Sequence, residues 1–338
     1  MRSKITLKEL AKLLNVSVST VSKSLNDSSE ISPKTVQRVK ELAELHKYRP
    51  NPTAVNLKRN RTGNIAVIVP NIANTFFAKV LGGVENEARK LGFQVITYIT
   101  NESLKLEQQI TELVSNGLVD GLLISVSEET QKLKDYDHLF RLTEYEIPVV
   151  LFDRINVDME LDKVGVDDKQ SIYNAVKFLH SKNLNKIGLV CALGDIGLGK
   201  QRIEGFENAC KELDIPLNKD FLIISPDTAT LKTKLDKLLQ AEEMQALIGL
   251  DYLSTLLASR VAQENKLKIP EDIKIIGYVN EDFAPFLLPS ISYVDQHPVE
   301  MGEIAASLLI ERIQKPKGKE VINKTLNTEF VHLDSTRF

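Results

Sequence analysis

The pattern of apolar positions changes character along the chain. From Thr6 to Leu45 it is helical: Leu7, Leu10, Ala11 and Leu14 fall at i, i+3, i+4, i+7, followed by Val21 and Leu25, then by Val36, Val39, Leu42 and Ala43. Thr6 is placed to cap the first helix and Ser17 the second, and Ser32-Pro33 is the start signal of a third. Asn15 and Val16 interrupt the first periodicity, so a tight turn joins helices one and two. The outward side of the second helix carries Val18, Ser19, Ser22 and Lys23. These small or cationic residues allow close approach to another surface, as in a helix-turn-helix that places its second helix in a major groove. A small amphipathic hairpin with a solvated face has the same periodicity, but three helices in under fifty residues can enclose a minimal core.

Between Tyr48 and Asn64 two prolines and several Lys and Arg mark a boundary. Asn51-Pro52 is again a helix-start pair. A helix over Pro52 to Lys58 is too short to stand alone in water, and folds only when docked on a partner. Beyond it the pattern alternates between strand and helix. Asn64 to Pro70 is a continuous apolar run of the buried parallel-strand kind, followed by a helix from about Phe76 to Leu91. Gln94–Ile99, Gly121–Ser125 and Val149–Phe152 are further strands, with helices around Leu106–Asn116 and His138–Tyr145. A second round starts near Asp162, with strands at Lys186–Val190, Phe221–Ile224, Ala246–Leu250 and Ile273–Tyr278 and helices near Ser171–Ser181, Arg202–Leu213, Leu231–Gln240 and Ser254–Glu264. Two doubly wound α/β subdomains follow, with a ligand cleft beyond the carboxyl ends of their strands. The helix from Val299 to Ile313 and the strands after it have no place in a simple sequential scheme, unless the chain crosses between subdomains more than once.

Composition narrows this picture. The 338 residues suggest two or three units, and 43% apolar with 26% charged residues is an ordinary soluble composition. No apolar run approaches the ~20 residues of a spanning helix, and charged residues stand where a signal peptide needs its apolar core, so a cytoplasmic protein without membrane contact is expected. The formal net charge of -3 hides an asymmetry: Met1 to Thr62 holds thirteen Lys or Arg against five Asp or Glu, leaving the remainder at -11. The basic end coincides with the helix-turn-helix pattern, as phosphate neutralisation requires. Cys191 and Cys210 form no disulfide framework, and their spacing with the five histidines matches no zinc pattern. No metal or cofactor is expected, and no nucleophile-plus-base set points to an enzyme. Gly194 to Lys200, GDIGLGK, lacks the phosphate-loop frame because Gln201 follows Lys200, and reads as a loop before a helix. Asp153, Asp167 and Asp168 read as strand-end caps and turn residues. A solute-binding receptor without DNA binding is the alternative reading of the α/β core, and the basic head argues against it.

Taken together, ITLKELAKLLNVSVSTVSKSLN, YRPNPTAVNL, IAVIVPNIANTFF, LVDGLL, VVLFDR, VGVDD, QRIEGF, PEDIKIIGY and QHPVEMG resemble the lactose and galactose repressor (LacI/GalR) family of bacterial transcription regulators, over essentially the whole chain. The resemblance implies a helix-turn-helix head at residues 1–50, a hinge helix and linker at 51–62, and a periplasmic-binding-protein-like core at 63–338. Within the core an N-subdomain spans about 63–162 and 296–325, and a C-subdomain about 163–295 and 326–338. It also implies a homodimer on near-palindromic operator DNA, with a small carbohydrate-like effector in the core.

By resemblance, Val18, Ser19 and Lys23 read bases. Lys23 can donate to guanine O6 and N7, and Val18 can meet a thymine methyl. Thr6, Ser17, Thr20, Ser22 and Asn26 correspond to positions that hold phosphates and set register. Leu57 matches the leucine that enters the minor groove and kinks the duplex. Phe76, Phe77, Ser125, Arg154, Arg202, Asp251, Tyr252, Val279 and Asn280 are the effector candidates, with Arg202 at the family's ligand-holding arginine. Leu250, Val279 and Thr228 depart from the family pattern, replacing an Asn, an Asp and an aromatic lid. Their loss argues against a simple sugar held by many hydroxyl hydrogen bonds.

Overall fold

A computed structural model describes residues 5–25, 27–48, 61–194, 197–316 and 320–338. The hinge candidate Leu57 and the phosphate candidate Asn26 lie outside the described residues. Two compact units divide at Thr62 and Gly63.

Among the described residues the first unit holds three helices, α1 (Leu7–Leu14), α2 (Val18–Leu25) and α3 (Pro33–Leu45). Thr6 caps α1 through a reciprocal capping box: its hydroxyl accepts from the Glu9 N–H, and its own N–H donates to the Glu9 carboxylate at 2.7 Å. Asn15 ends α1 in the left-handed region at φ 54°, a conformation Asn tolerates better than most residues, which turns the chain into α2. Leu10, Ala11, Val21, Val39 and Ala43 form the buried core, with Leu7, Leu14, Leu25 and Leu42 partly buried against it.

The second unit contains two six-stranded sheets. In chain order its first part runs β1 (Asn64–Val69), α4 (Thr75–Lys90), β2 (Gln94–Ile99), α5 (Leu104–Leu113), β3 (Leu122–Ile124), α6 (Glu128–Leu133), α7 (Asp137–Glu144), β4 (Val149–Phe152) and β5 (Asp162–Val166). The second part runs α8 (Asp168–Ser181), β6 (Ile187–Cys191), α9 (Gly197–Glu212), β7 (Leu222–Ile224), α10 (Thr228–Ala241), β8 (Ala246–Gly249), α11 (Tyr252–Glu264), β9 (Lys274–Gly277) and β10 (Ser292–Asp295). Then come α12 (Pro298–Gln314), β11 (Asn323–Leu326) and β12 (Glu329–Val331).

The strand orders are β11-β5-β4-β3-β1-β2 and β12-β10-β9-β8-β6-β7. All pairs are parallel except β10 with β12. Alternation along β1 explains why both faces are covered: Ile65, Val67 and Val69 join a core with α4 and α12, while Ala66 and Ile68 join one with α5 and α7. The second sheet is layered likewise between α8–α9 and α10–α11.

Three crossings join the sheets: β5 to α8, β10 to α12 and β11 to β12. They give the late helix and strands their place, with α12 returning to pack on α4. That contact is backbone-close, since a Cβ on Gly83 would lie 2.0 Å from the Val299 carbonyl oxygen and one on Gly302 2.1 Å from that of Val80. The boundary expected near residue 162 needs correction. β5 pairs with β4 and β11 in the first sheet and buries Val164 and Val166, so that subdomain continues to Val166.

Candidate functional site

Two regions carry the polar groups that function needs. In the head, Ser17 begins α2 by accepting from the Thr20 N–H at 3.0 Å, and the Ser17 and Thr20 hydroxyls share a 2.8 Å hydrogen bond. The Ser24 hydroxyl, which is buried, turns back to the Thr20 carbonyl. Val21 is fully buried, whereas Val18 is 40% exposed and Ser19 is exposed with it at the start of the helix. Ser22 and Lys23 are half-buried. Lys23 forms an ion pair with Glu30, in the segment between α2 and α3. That partner was not legible in the helical pattern. Thr6 is engaged with Glu9 as described, so its hydroxyl already serves the cap.

In the core, a cleft partly open to solvent lies between the carboxyl ends of the two sheets. Of the expected effector residues, Phe76, Phe77, Arg154 and Arg202 line it, as do Asp251, Tyr252, Val279 and Asn280. Ser125 does not. It sits fully buried just after β3 and donates to Asp153 at 3.4 Å, behind the wall. Leu250 is also buried, and its carbonyl rather than its side chain serves the site; Thr228 is exposed at the start of α10, away from the cleft.

Arg202 is buried on α9. Its Nε donates to Asp168 at 2.7 Å, its Nη1 to the Leu250 carbonyl at 2.6 Å, and its guanidinium lies 3.7 Å over the Tyr278 ring. Two of its nitrogens are therefore fixed by protein, and Nη2 has no protein hydrogen bond among the described residues. Arg154 is fully committed in another way, with both terminal nitrogens on Glu102 at 2.6 and 2.8 Å and one also on the Val126 carbonyl. The pair expected at the surface is buried on the arginine side, whereas Glu102 is about one third exposed. Phe77 is in the core beneath the wall, edge-on to Phe152, while Phe76 is partly buried against Phe77.

The three aspartates divide. Asp167 caps α8, accepting from the Gln170 N–H at 2.9 Å. Asp168 is instead the buried counter-ion of Arg202. Asp153 does stand in the bend that follows β4, as a strand-end turn residue, but it is not solvated. It is buried on the cleft wall at φ 61°, and burial pushes its carboxyl up to about 7, partly opposed by the Arg154 charge. Sequence reasoning also missed Lys79, whose ammonium bridges to Glu281 at 2.5 Å and Asp282 at 2.7 Å, and Gln296, whose buried Nε2 has no partner among the described residues. The Cys191 and Cys210 thiols, both buried, are pushed up to about 11 and stay protonated at neutral pH. Among the described residues no group of three or more His, Cys, Asp or Glu is placed to hold a metal, and no helix is long and apolar enough to cross a membrane.

Residues 6–51 match the model of the bacterial regulatory proteins of the lacI family, and residues 176–336 that of a periplasmic binding protein-like domain. The HTH-type transcriptional repressor PurR of Aliivibrio salmonicida (strain LFI1238) is 31% identical over 312 residues, which cover 91% of this chain and 92% of that protein. The HTH-type transcriptional regulator DegA of Bacillus subtilis (strain 168) is 29% identical over 302 residues, 88% of each. The lac repressor dimer bound to operator and the anti-inducer ONPF superposes with a TM-score of 0.83 at 18% identity, over 99% of each chain. A LacI family regulator from Enterococcus faecium with bound ribose gives 0.68 at 27% identity, covering 81% of this chain and 98% of that one. With a capped recognition helix in a basic head, two crossed-over α/β subdomains around a polar cleft, and these relatives along nearly its whole length, the chain belongs to the lacI family and is a DNA-binding transcriptional regulator.

Proposed function

We propose that the protein is an effector-controlled repressor that binds near-palindromic operator DNA as a homodimer in the cytoplasm. The observation that carries this reading is the start of α2, where Ser17 and Thr20 secure the helix and Val18 and Ser19 stand exposed beside Lys23. Val18, Ser19 and Lys23 read base edges. Ser17, Thr20, Ser22 and Asn26 hold phosphates, with Thr6 contributing through the helix end it caps. Leu57 enters the minor groove from the hinge.

A second copy of the chain supplies the other half-site reader. Phe286 is 82% and Leu288 88% exposed, with Leu253 and Phe283 also exposed, and apolar side chains this open support an interface with a like subunit. The LacI family regulator solved with ribose supports a sugar or sugar derivative as effector in the cleft. Its binding shifts the population between two subdomain angles, and through the hinge changes operator affinity; only differential affinity for the two states can do so.

The test is fluorescence anisotropy of the full chain on random-sequence and selected operator duplexes, with and without a panel of sugars. Operator affinity that falls steeply with salt and changes with a sugar supports the reading. Binding that is flat in salt removes the phosphate-contact account, and indifference to every sugar of the panel removes the sugar effector.

A further inference from the structure

The charges around the cleft are unevenly matched. Its wall and the groups bonded directly to that wall hold three cations and seven carboxylates among the described residues. Each cation already has its counter-ion: Arg154 has Glu102, Arg202 has Asp168, and Lys79 has Glu281 and Asp282. The other three carboxylates belong to Asp153, Asp251 and Asp295. Asp251 spends its oxygens on the Ala192 and Ser254 N–H groups and the Ser254 hydroxyl, all within 2.9 Å. Asp295 accepts from the His297 N–H at 2.8 Å and stands 3.5 Å from that imidazole. Asp153 differs: it is 95% buried, and the Ser125 hydroxyl at 3.4 Å is the one group bonded to its side chain among the described residues. A carboxylate buried with so little donation is costly unless something else supplies the donor.

Two residues that line the same cleft keep donors without a protein partner among the described residues, Gln296 at its orphaned Nε2 and Arg202 at Nη2. The unfilled valences of the cleft are thus one under-bonded carboxyl group, which a cation would hold ionised, and two hydrogen-bond donors. We infer that the effector is a polyhydroxylated amine, such as an amino sugar, that sets its ammonium against Asp153 and its oxygens against Gln296 and Arg202, and that anionic ligands are excluded. A sugar acid or sugar phosphate entering the cleft finds no cation that is free of a carboxylate, and the excess negative charge opposes it. The ammonium gives Asp153 the charge-assisted hydrogen bond that protein atoms withhold.

This inference rests on the cleft being the effector site, and its test reads ligand binding directly rather than operator release, so the two can fail separately. The full chain is titrated calorimetrically with glucose, galactose and mannose, the corresponding 2-amino sugars, uronic acids and 6-phosphates. In at least one series the amine should bind about tenfold more tightly than its parent, with both anions weaker than the parent. Asp153→Asn should collapse the amine-to-parent ratio toward one, with folding checked by thermal melting and by ligand-free operator binding. An acid or phosphate that binds as tightly as its parent overturns the inference. So does silence from all three amines, or a ratio that Asp153→Asn leaves unchanged.

Discussion

Lys79 and Glu281 meet at 2.5 Å across the cleft, one on α4 beside the first sheet and the other just after β9 of the second. With Asp282 at 2.7 Å the ammonium forms a bridge that ties the two subdomains together across the cleft. Glu281 is 36% and Asp282 66% exposed at their side chains, so water screens the bridge. Lys79→Met should therefore shift the open–closed balance by only about 0.5–1 kcal/mol, roughly two- to fivefold in population. Small-angle scattering of the ligand-free protein should show a larger radius of gyration for the variant, and 1 M NaCl should move the wild type toward it. Identical curves in all three cases would remove the latch.

Asp153 gives a pH dependence with a definite sign. Its carboxyl titrates near 7 in the folded chain against an ordinary 3.8, so between those values the folded state holds a proton that the unfolded state has lost. Stability must fall as pH rises through that window, because the folded state binds more protons. Asp153→Asn removes the slope and should be more stable than wild type by about 1–3 kcal/mol at pH 8, with little difference at pH 4. Urea unfolding at the two pH values measures it, and a wild-type advantage at pH 8 would contradict the assignment.

Gly302→Ala probes the contact of α12 with α4. The added Cβ would lie 2.1 Å from the Val80 carbonyl oxygen, a backbone atom that cannot swing aside. The helices must separate, and a loss of about 3 kcal/mol or more is expected in chemical denaturation. Gly82→Ala, whose Cβ meets nothing within 4 Å, is the control and should be neutral or slightly stabilising.

Lys23 in the head is paired with Glu30 before any DNA arrives. Glu30→Gln removes that competitor and one negative charge, so binding to random duplex should strengthen about two- to threefold at low salt, with the gain lost as salt rises. Lys23→Ala should instead change base preference at one operator position, visible in a selection from randomised half-sites.

The parts of this architecture that were legible in the sequence are those set by local chemistry. The Thr6, Ser17 and Ser32 caps and the apolar run of β1 announce themselves within a few residues. β5 was not legible: with Asp162, Lys163 and Gly165 in five residues it resembles a turn, and only its two neighbours in the sheet make it a strand. Asp153 and Lys79 were missed for a related reason. The environment that buries Asp153 and the carboxylates that hold Lys79 come from the other subdomain or from distant loops, 202 residues away in the case of Glu281. Periodicity carries no information about such meetings.

The three crossings leave from one edge of each sheet, where β5 and β11 are neighbours in the first and β10 and β12 in the second. Covalent ties gathered along one side constrain two plates as a strip hinge constrains a door: swinging is soft, whereas sliding and twisting would stretch the polypeptide. A bound effector can then alter little except one angle. The mouth far from the hinge, at the β2 and β7 edges, must travel furthest, so a small change of fit beside β5 becomes a large displacement there.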